Sequence, residues 1–258
     1  MLNLDEKKLL FEKKGFIILE NLLNTKTANT NFDQVKKEVY HSYASNYDKI
    51  KLLSGFITGN LDLKPSKVIL RVWEDLKEQG ISEVIKKLTN KSLNDFDLKY
   101  AGNISLPKKG DQFYHTDGTK RPRKILIGVP IEDLNEIDGP TELIPGSHIQ
   151  KISYWKFHLK KFFKKKIKLV LKKGDIFIRE SYIWHKGTKN NSTKLRIIVL
   201  FILSEKNGNF SQQEILNNVE FGDNMFEVSL YGKIKEMISV YLPFFYFVYK
   251  FLISIIRK

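Results

Sequence analysis

The chain of 258 residues is long enough for one large domain or two small ones, and its apolar content of 42% is typical of a globular core. It contains no cysteine, which excludes disulfides, thiolate metal sites and cysteine nucleophiles. The formal net charge of +15 raises the question of nucleic acid, but arginine, the residue preferred for phosphate and base contacts, is scarce, so we expect no nucleic-acid partner.

The amino-terminal part shows mostly helical spacing. Its opening, LDEKKLLFEKKGFIILENLL, predicts a short amphipathic helix followed by a strand from Phe16 to Leu19. It lacks the apolar block of a secretory signal, so we expect a cytoplasmic protein. Further helices are predicted over residues 31–43 and 65–91. The second is expected to break at Gly80, with Ser82 available as a new N-cap.

From about Asp97 onward the pattern changes to short runs of β-branched and aromatic residues separated by Gly, Pro, Asn and Asp. The runs are KYAGNISL, QFYHTD, KILIGVPI, TELIPG, IKLVL, DIFIRESYIWH and LRIIVLFILS. No helical pattern in this region is long enough to connect parallel strands. The sequence therefore predicts an antiparallel sandwich or barrel with flanking helices, a mainly β (α+β) fold.

We divide the chain into a domain over residues 1–204, a polar connection over 205–224 and an apolar, basic carboxy-terminal helix over 225–258. The twenty residues from Met237 to Ile256 could nearly span a bilayer, but Lys250 would then lie in hydrocarbon at a cost of about 2.5 to 3.5 kcal/mol. Two alternatives remain for this helix. It lies on a membrane surface, helped by the basic residues Lys233, Lys235, Arg257 and Lys258, or it docks on protein.

The stretch FYHTDG contains the first candidate metal ligands. In an extended strand alternate side chains share a face, so His115 and Asp117 can point at one ion. The best third ligand is His185, which precedes the turn-forming residues 189–192. A hairpin symmetric about this turn places His185 opposite Arg196, with the two Cβ atoms roughly 5 Å apart.

Two histidines and one carboxylate leave three positions of an octahedral ion open, an arrangement associated with non-haem Fe(II) oxygenases. The same ligands also suit zinc, as in a zinc-binding cupin. Arg196 weighs against that alternative, since a buried arginine needs an anion. A dicarboxylic acid that chelates iron at one end and meets Arg196 at the other satisfies this need.

Several motifs together resemble the phytanoyl-CoA dioxygenase family of Fe(II)- and 2-oxoglutarate-dependent oxygenases, over most of residues 11–204. They are FEKKGFIILENLL, HTD at 115–117, DGPTELIPGSH at 138–148, KGDIFI at 173–178, and His185 followed eleven residues later by Arg196.

This resemblance implies a double-stranded β-helix, or jelly roll, with helices on one outer face. It also implies that His115, Asp117 and His185 bind iron and that Arg196 holds the distal carboxylate of 2-oxoglutarate. The implied reaction uses O2 and releases succinate and CO2. Because halogenating relatives replace the carboxylate ligand by a small residue, hydroxylation is the expected outcome, while desaturation, epimerisation and ring formation stay open because they can use the same centre. Weaker candidates for contacts to cosubstrate or substrate are Gln112, Thr141, Asn103 and Thr188.

The segment KISYWKFHLKKFFKKK interleaves lysines with aromatic residues. It is either a solvated basic helix or an entrance that attracts a small or lipid-like anionic substrate. Two other classes of function remain open: a non-catalytic, metal-dependent ligand-binding jelly roll, and a membrane-associated scaffold. The sequence does not fix the oligomeric state.

Overall fold

A computed structural model describes residues 3–118, 122–150, 152–206, 226 and 230–256. In this part of the chain the α-helices are α1 (Leu4–Lys14), α2 (Thr25–Ser45), α3 (Tyr47–Ile50), α4 (Lys67–Glu78), α5 (Ile81–Thr89), α6 (Tyr154–Lys160), α7 (Leu230–Tyr241) and α8 (Pro243–Ile256). The strands are β1 (Phe16–Leu19), β2 (Asn60–Leu63), β3 (Phe96–Ser105), β4 (Lys124–Pro130), β5 (Thr141–Leu143), β6 (Ile167–Lys168), β7 (Ile176–Glu180), β8 (His185–Gly187) and β9 (Arg196–Glu205).

Helices α4 and α5 together replace the single helical region predicted over 65–91. Apolar residues at helical spacing bury one face of each helix, and Trp73 of α4 packs against Phe201 of β9 with ring centroids 5.0 Å apart. The break falls at Gly80 as predicted. The predicted cap was wrong, because Gly80 itself, with φ of 85°, is the N-cap and Ser82 lies inside α5.

The strands form two antiparallel sheets. The larger has the order β1-β7-β4-β9-β3-β2, and the smaller has the order β6-β5-β8. The helices α4 and α5 and the larger sheet contribute to the main apolar core. The predicted antiparallel sandwich with flanking helices is therefore confirmed.

The predicted hairpin between His185 and Arg196 was wrong, because β8 belongs to the smaller sheet and β9 to the larger one. The intervening chain is a loop organised by the fully buried side chain of Asn190. Its amide donates to the backbone oxygens of Ser105 and Lys194, at 3.1 and 2.8 Å. These bonds stabilise a loop that connects the two sheets, instead of a turn that reverses the chain within one sheet.

The carboxy-terminal segment contains two helices where one was predicted. Pro243 has no N–H to continue the hydrogen-bond ladder of α7, so the chain breaks at Leu242 and α8 begins. Among the described residues, no helix combines the length and hydropathy that a bilayer crossing needs. The predicted polar connection lies outside the described residues, apart from its first two positions.

Helix α7 docks on the loop that precedes β2. The buried carboxylate of Glu236 accepts hydrogen bonds from the backbone N–H groups of Gly55 and Thr58, both at 2.8 Å, and from the Thr58 hydroxyl at 2.7 Å. Lys233 donates to the backbone oxygens of Lys51 and Leu53. Polar contacts thus fix α7 against the body of the protein.

Candidate active site

The three predicted metal ligands meet at the edge of the smaller sheet. His115 and His185 face each other across an antiparallel bridge, with backbone N–H···O distances of 2.9 and 3.0 Å in the two directions. The centroids of their rings lie 4.4 Å apart. Asp117, two residues after His115, projects to the same side. One candidate ligand atom from each of the three lies within 4.8 Å of the other two.

Both histidines present Nε2 to this cluster. The Nδ1 atom of His115 lies 2.9 Å from the Phe113 carbonyl oxygen, and that of His185 lies 3.0 Å from the Ile183 carbonyl oxygen. A carbonyl oxygen only accepts, so Nδ1 carries the proton and Nε2 keeps its lone pair. Burial, with the nearby charge of Arg179, lowers the pKa of His185 to about 4, which keeps its imidazole neutral near pH 7.

Asp117 supplies the carboxylate of the cluster. Its two oxygens lie 3.5 Å from Nε2 of His115 and 3.3 Å from Nε2 of His185. Burial would raise the pKa of Asp117, but the hydrogen-bonded guanidinium of Arg179 holds it well below its usual value. The group is therefore a carboxylate at neutral pH, as a metal ligand must be.

Arg196 lines the same cavity, which has a volume of about 120 Å³. Its guanidinium is buried and donates from Nη1 to the Gly139 carbonyl at 3.0 Å and from Nη2 to the Asn103 side-chain oxygen. Its Nε atom has no hydrogen-bond partner among the described residues. Burial lowers the pKa of Arg196 to about 10, so it remains a cation that needs an anion.

The weaker candidates separate into two groups. Asn103, Gln112 and Thr141 line the cavity; Asn103 holds Arg196, and Gln112 accepts a hydrogen bond from the Gly187 N–H at 2.9 Å. Thr188 does not line the cavity. Its hydroxyl donates to the Pro140 carbonyl at 2.7 Å.

Gly187 stands at the cavity wall. A Cβ atom at this position would lie 2.8 Å from the Asn60 side-chain oxygen and 3.0 Å from that of Gln112. A larger residue at 187 would therefore have to displace these side chains.

Sequence reasoning assigned no role to Arg179, which the structure places in the cluster. Its guanidinium donates to the Asp117 carboxylate and lies 3.2 Å from Nε2 of His185. The signal was an arginine that directly follows the buried apolar run IFI in the strand IFIRE. Asp62 of β2, also given no role, lines the cavity as well.

A larger chamber of about 490 Å³ adjoins the cluster, and the two cavities share Asp62, Gln112 and His115 as lining residues. Its aromatic wall contains Tyr154, Trp184 and Tyr246. The carboxy-terminal helices contribute Gly232, Lys235, Glu236, Ser239 and Tyr246. These helices thus form part of the wall next to a candidate metal ligand.

Comparison with known proteins agrees with this arrangement. A family model described as Phytanoyl-CoA dioxygenase matches residues 11–198. Similar folds include the non-heme alpha ketoglutarate dependent carbocyclase SnoK from nogalamycin biosynthesis (TM-score 0.59, 12% identity, 87% of this chain and 94% of that one). AviO1 from Streptomyces viridochromogenes Tue57 has a TM-score of 0.59 and 12% identity, and the match covers 82% of this chain and 99% of AviO1.

HygX from Streptomyces hygroscopicus, solved with nickel, 2-oxoglutarate and hygromycin B bound, gives TM-score 0.54 and 12% identity over 82% and 90% of the two chains. These likenesses confirm the jelly-roll fold class predicted from the sequence.

Proposed function

Since the chain belongs to the phytanoyl-CoA dioxygenase family, we propose that it is an Fe(II)- and 2-oxoglutarate-dependent dioxygenase that consumes O2 and releases succinate and CO2. The observation that carries the proposal is one cavity with three convergent ligand side chains and a buried arginine that lacks an anion.

The residues of the cavity fit the metal ion and the diacid that this activity requires. Two imidazoles and a carboxylate suit Fe(II), and three open positions would remain for other ligands. The unpartnered Nε of Arg196 suits the distal carboxylate of the diacid. When bound, iron and 2-oxoglutarate activate O2 for oxidation of a C–H bond.

The side chains of this chain have separate tasks in that scheme. The carbonyl oxygens of Phe113 and Ile183 hold the two imidazoles in the tautomer that leaves Nε2 available. Asn103 orients the guanidinium of Arg196. Phe177, Ile198 and Leu200 line the remainder of the cavity and limit the access of water.

The chamber of about 490 Å³ is the proposed substrate site, because it reaches His115 and is large enough for a small organic molecule. Its aromatic wall suits an apolar or ring-bearing part of the substrate, and Lys235 provides a positive charge for an acidic group. The lining also contains the carboxylates of Asp62 and Glu236, and that of Glu236 is already held by the N–H groups of Gly55 and Thr58. We therefore propose a small or lipid-like anionic substrate. Hydroxylation is the proposed outcome, because Asp117 retains the carboxylate ligand.

Succinate release tests the activity without knowledge of the substrate. Under air, with Fe(II) and 2-oxoglutarate, we expect slow formation of succinate that stops when a chelator removes the metal. His115→Ala should abolish it. A non-catalytic binding module would bind the diacid and form no succinate above the rate of free Fe(II), and that result would refute the proposal.

We also propose that the protein is cytoplasmic and contacts the surface of an anionic membrane through α6, the turn that follows it, and α8. Leu159, Phe162 and Phe163 are 62%, 75% and 91% exposed, and Phe244 and Phe245 of α8 are 72% and 63% exposed. Helix α6 packs beside α8, where the rings of Trp155 and Phe251 lie 5.8 Å apart. Exposed apolar side chains on two adjacent elements support an interaction site.

The charge of this surface favours lipid over a second copy of the chain. Residues 152–168 contain several exposed lysines and no acidic residue. A twofold dimer through this face would bring like charges together, whereas anionic head groups would neutralise them. Contact there would bring the lining helices of the substrate chamber close to the lipid.

Liposome co-sedimentation tests this contact. We expect binding to vesicles that contain phosphatidylglycerol and weaker binding to pure phosphatidylcholine. Phe162→Ser with Phe163→Ser should reduce partition by about 10-fold or more, because each inserted phenylalanine contributes roughly 1.5 to 3 kcal/mol.

The matched control is Leu9→Ser with Ile137→Ser, which removes two exposed apolar side chains at other places and should leave partition unchanged. Equal binding to both vesicle types, or a dimer that the phenylalanine variants dissociate, would contradict the membrane proposal.

A further inference from the structure

Arg179 has a position that the proposed chemistry does not require. Only 5% of it is exposed, and its Nη2 atom donates to the carboxylate of Asp117 and lies 3.2 Å from Nε2 of His185. A guanidinium has no acceptor, so the contact to His185 uses the Nε2 lone pair. Arg179 therefore engages two of the three candidate metal ligands.

A divalent metal would need the same lone pair and the same carboxylate. Nε2 of His185 cannot bind a metal while it accepts a hydrogen bond from Arg179. The guanidinium would also be a fixed positive charge close to the ion, and the burial of Arg179 and His185 strengthens this repulsion. Binding of a metal alone would thus displace Arg179 from its partners and leave it as a buried, uncompensated cation.

The charge of the cavity indicates which ligand would compensate the displaced guanidinium of Arg179. Among the described residues, the lining contains two guanidinium groups, Arg179 and Arg196, and two carboxylates, Asp62 and Asp117. These charges balance. A divalent metal alone makes the cavity positive by two charges, and a doubly charged diacid restores the balance. The Nε atom of Arg179, like that of Arg196, has no partner among the described residues and is available to an anion.

We propose that Arg179 makes metal binding conditional on the diacid: its guanidinium competes with the metal for His185 and Asp117, and the carboxylate next to the keto group compensates it once both ligands are bound. This inference rests on the proposed function for the identity of the diacid. Metal and 2-oxoglutarate should then bind cooperatively, each strengthening the other by the same factor.

Calorimetric titration with Mn(II) under anaerobic conditions, with and without saturating 2-oxoglutarate, tests the competition without any catalytic turnover. For Arg179→Met we expect the affinity for Mn(II) alone to rise by about 10-fold, and the strengthening of Mn(II) binding by 2-oxoglutarate to shrink by a similar factor. Arg179→Gln, which loses the charge but keeps a donor for Asp117, carries the same expectation if the methionine variant does not fold.

Lys186→Met is the matched control. Lys186 follows His185 on β8 but lies on the opposite face, where it pairs with Asp111 at 2.6 Å. Its removal should leave Mn(II) affinity unchanged. The inference is overturned if the Arg179 variants bind Mn(II) no more tightly than the unmodified protein, or if Lys186→Met gives the same rise. Failure of the unmodified protein to bind both Mn(II) and 2-oxoglutarate would instead refute the proposed function.

Discussion

Replacement of Arg196 by leucine is expected to raise the KM for 2-oxoglutarate by about 100-fold. The buried guanidinium has an unpartnered Nε atom, and the distal carboxylate of the diacid is its proposed partner. Loss of one member of a buried charge pair costs roughly 2 to 5 kcal/mol, which corresponds to roughly 30-fold to more than 1000-fold in affinity. The measurement is succinate formation as a function of 2-oxoglutarate concentration.

Two companion variants separate recognition of the diacid from general damage. Arg196→Lys keeps the charge but loses the fork of donors, so an intermediate KM is expected. Arg123→Leu removes an arginine that pairs with Glu180 outside the cavity and should leave KM unchanged. An unchanged KM in Arg196→Leu would show that the diacid, if it binds, does not meet this residue.

The ligand cluster was predictable because its first two members depend on a local rule. His115 and Asp117 are two residues apart in extended chain, so they share a face whatever the rest of the fold does. His185 needed a long-range pairing, and the structure supplies it as the cross-strand partner of His115.

Arg196 was assigned to the site through a hairpin that does not exist. It faces Ser105 across β3 and β9, and it reaches the cavity from the sheet opposite His185. Symmetry about a turn is a weak guide when a buried side chain such as Asn190 organises a longer loop. The structure places Arg196 at the cavity, but the hairpin used to infer that position does not form.

Arg179 could not be placed from the sequence because its contacts join distant parts of the fold. It lies on β7, and its contact with Asp117 lies beside the bond from the backbone N–H of Asp117 to the Ser181 carbonyl, at 2.9 Å, that joins the two chain segments. The docking of α7 through Glu236 could not be predicted from the sequence either, since the partners of Glu236 lie about 180 residues away in the chain. Such contacts depend on the order of strands and helices rather than on local patterns.

Replacement of Asp117 by alanine should weaken divalent-metal binding by on the order of 100-fold or more, because even residues that merely orient a ligand are worth 10- to 100-fold. The change removes the only carboxylate of the cluster and leaves Arg179 beside the two histidines. Succinate formation should fall to the rate of free Fe(II). Calorimetric titration with Mn(II) measures the affinity.

Asp111→Ala is the matched control for that variant. Asp111 is an exposed carboxylate six positions earlier that pairs with Lys186, so metal affinity should not change. Equal weakening by both variants would mean that the loss at Asp117 reflects general electrostatics rather than coordination.

Anomalous diffraction from crystals grown with Mn(II) and 2-oxoglutarate tests most directly whether one metal ion joins His115, Asp117 and His185. We predict a single strong anomalous peak within about 2.5 Å of both Nε2 atoms and a carboxylate oxygen of Asp117, with the diacid between the metal and Arg196. A peak elsewhere, or density for the diacid that does not reach Arg196, would contradict the assignment of this cavity as the active site.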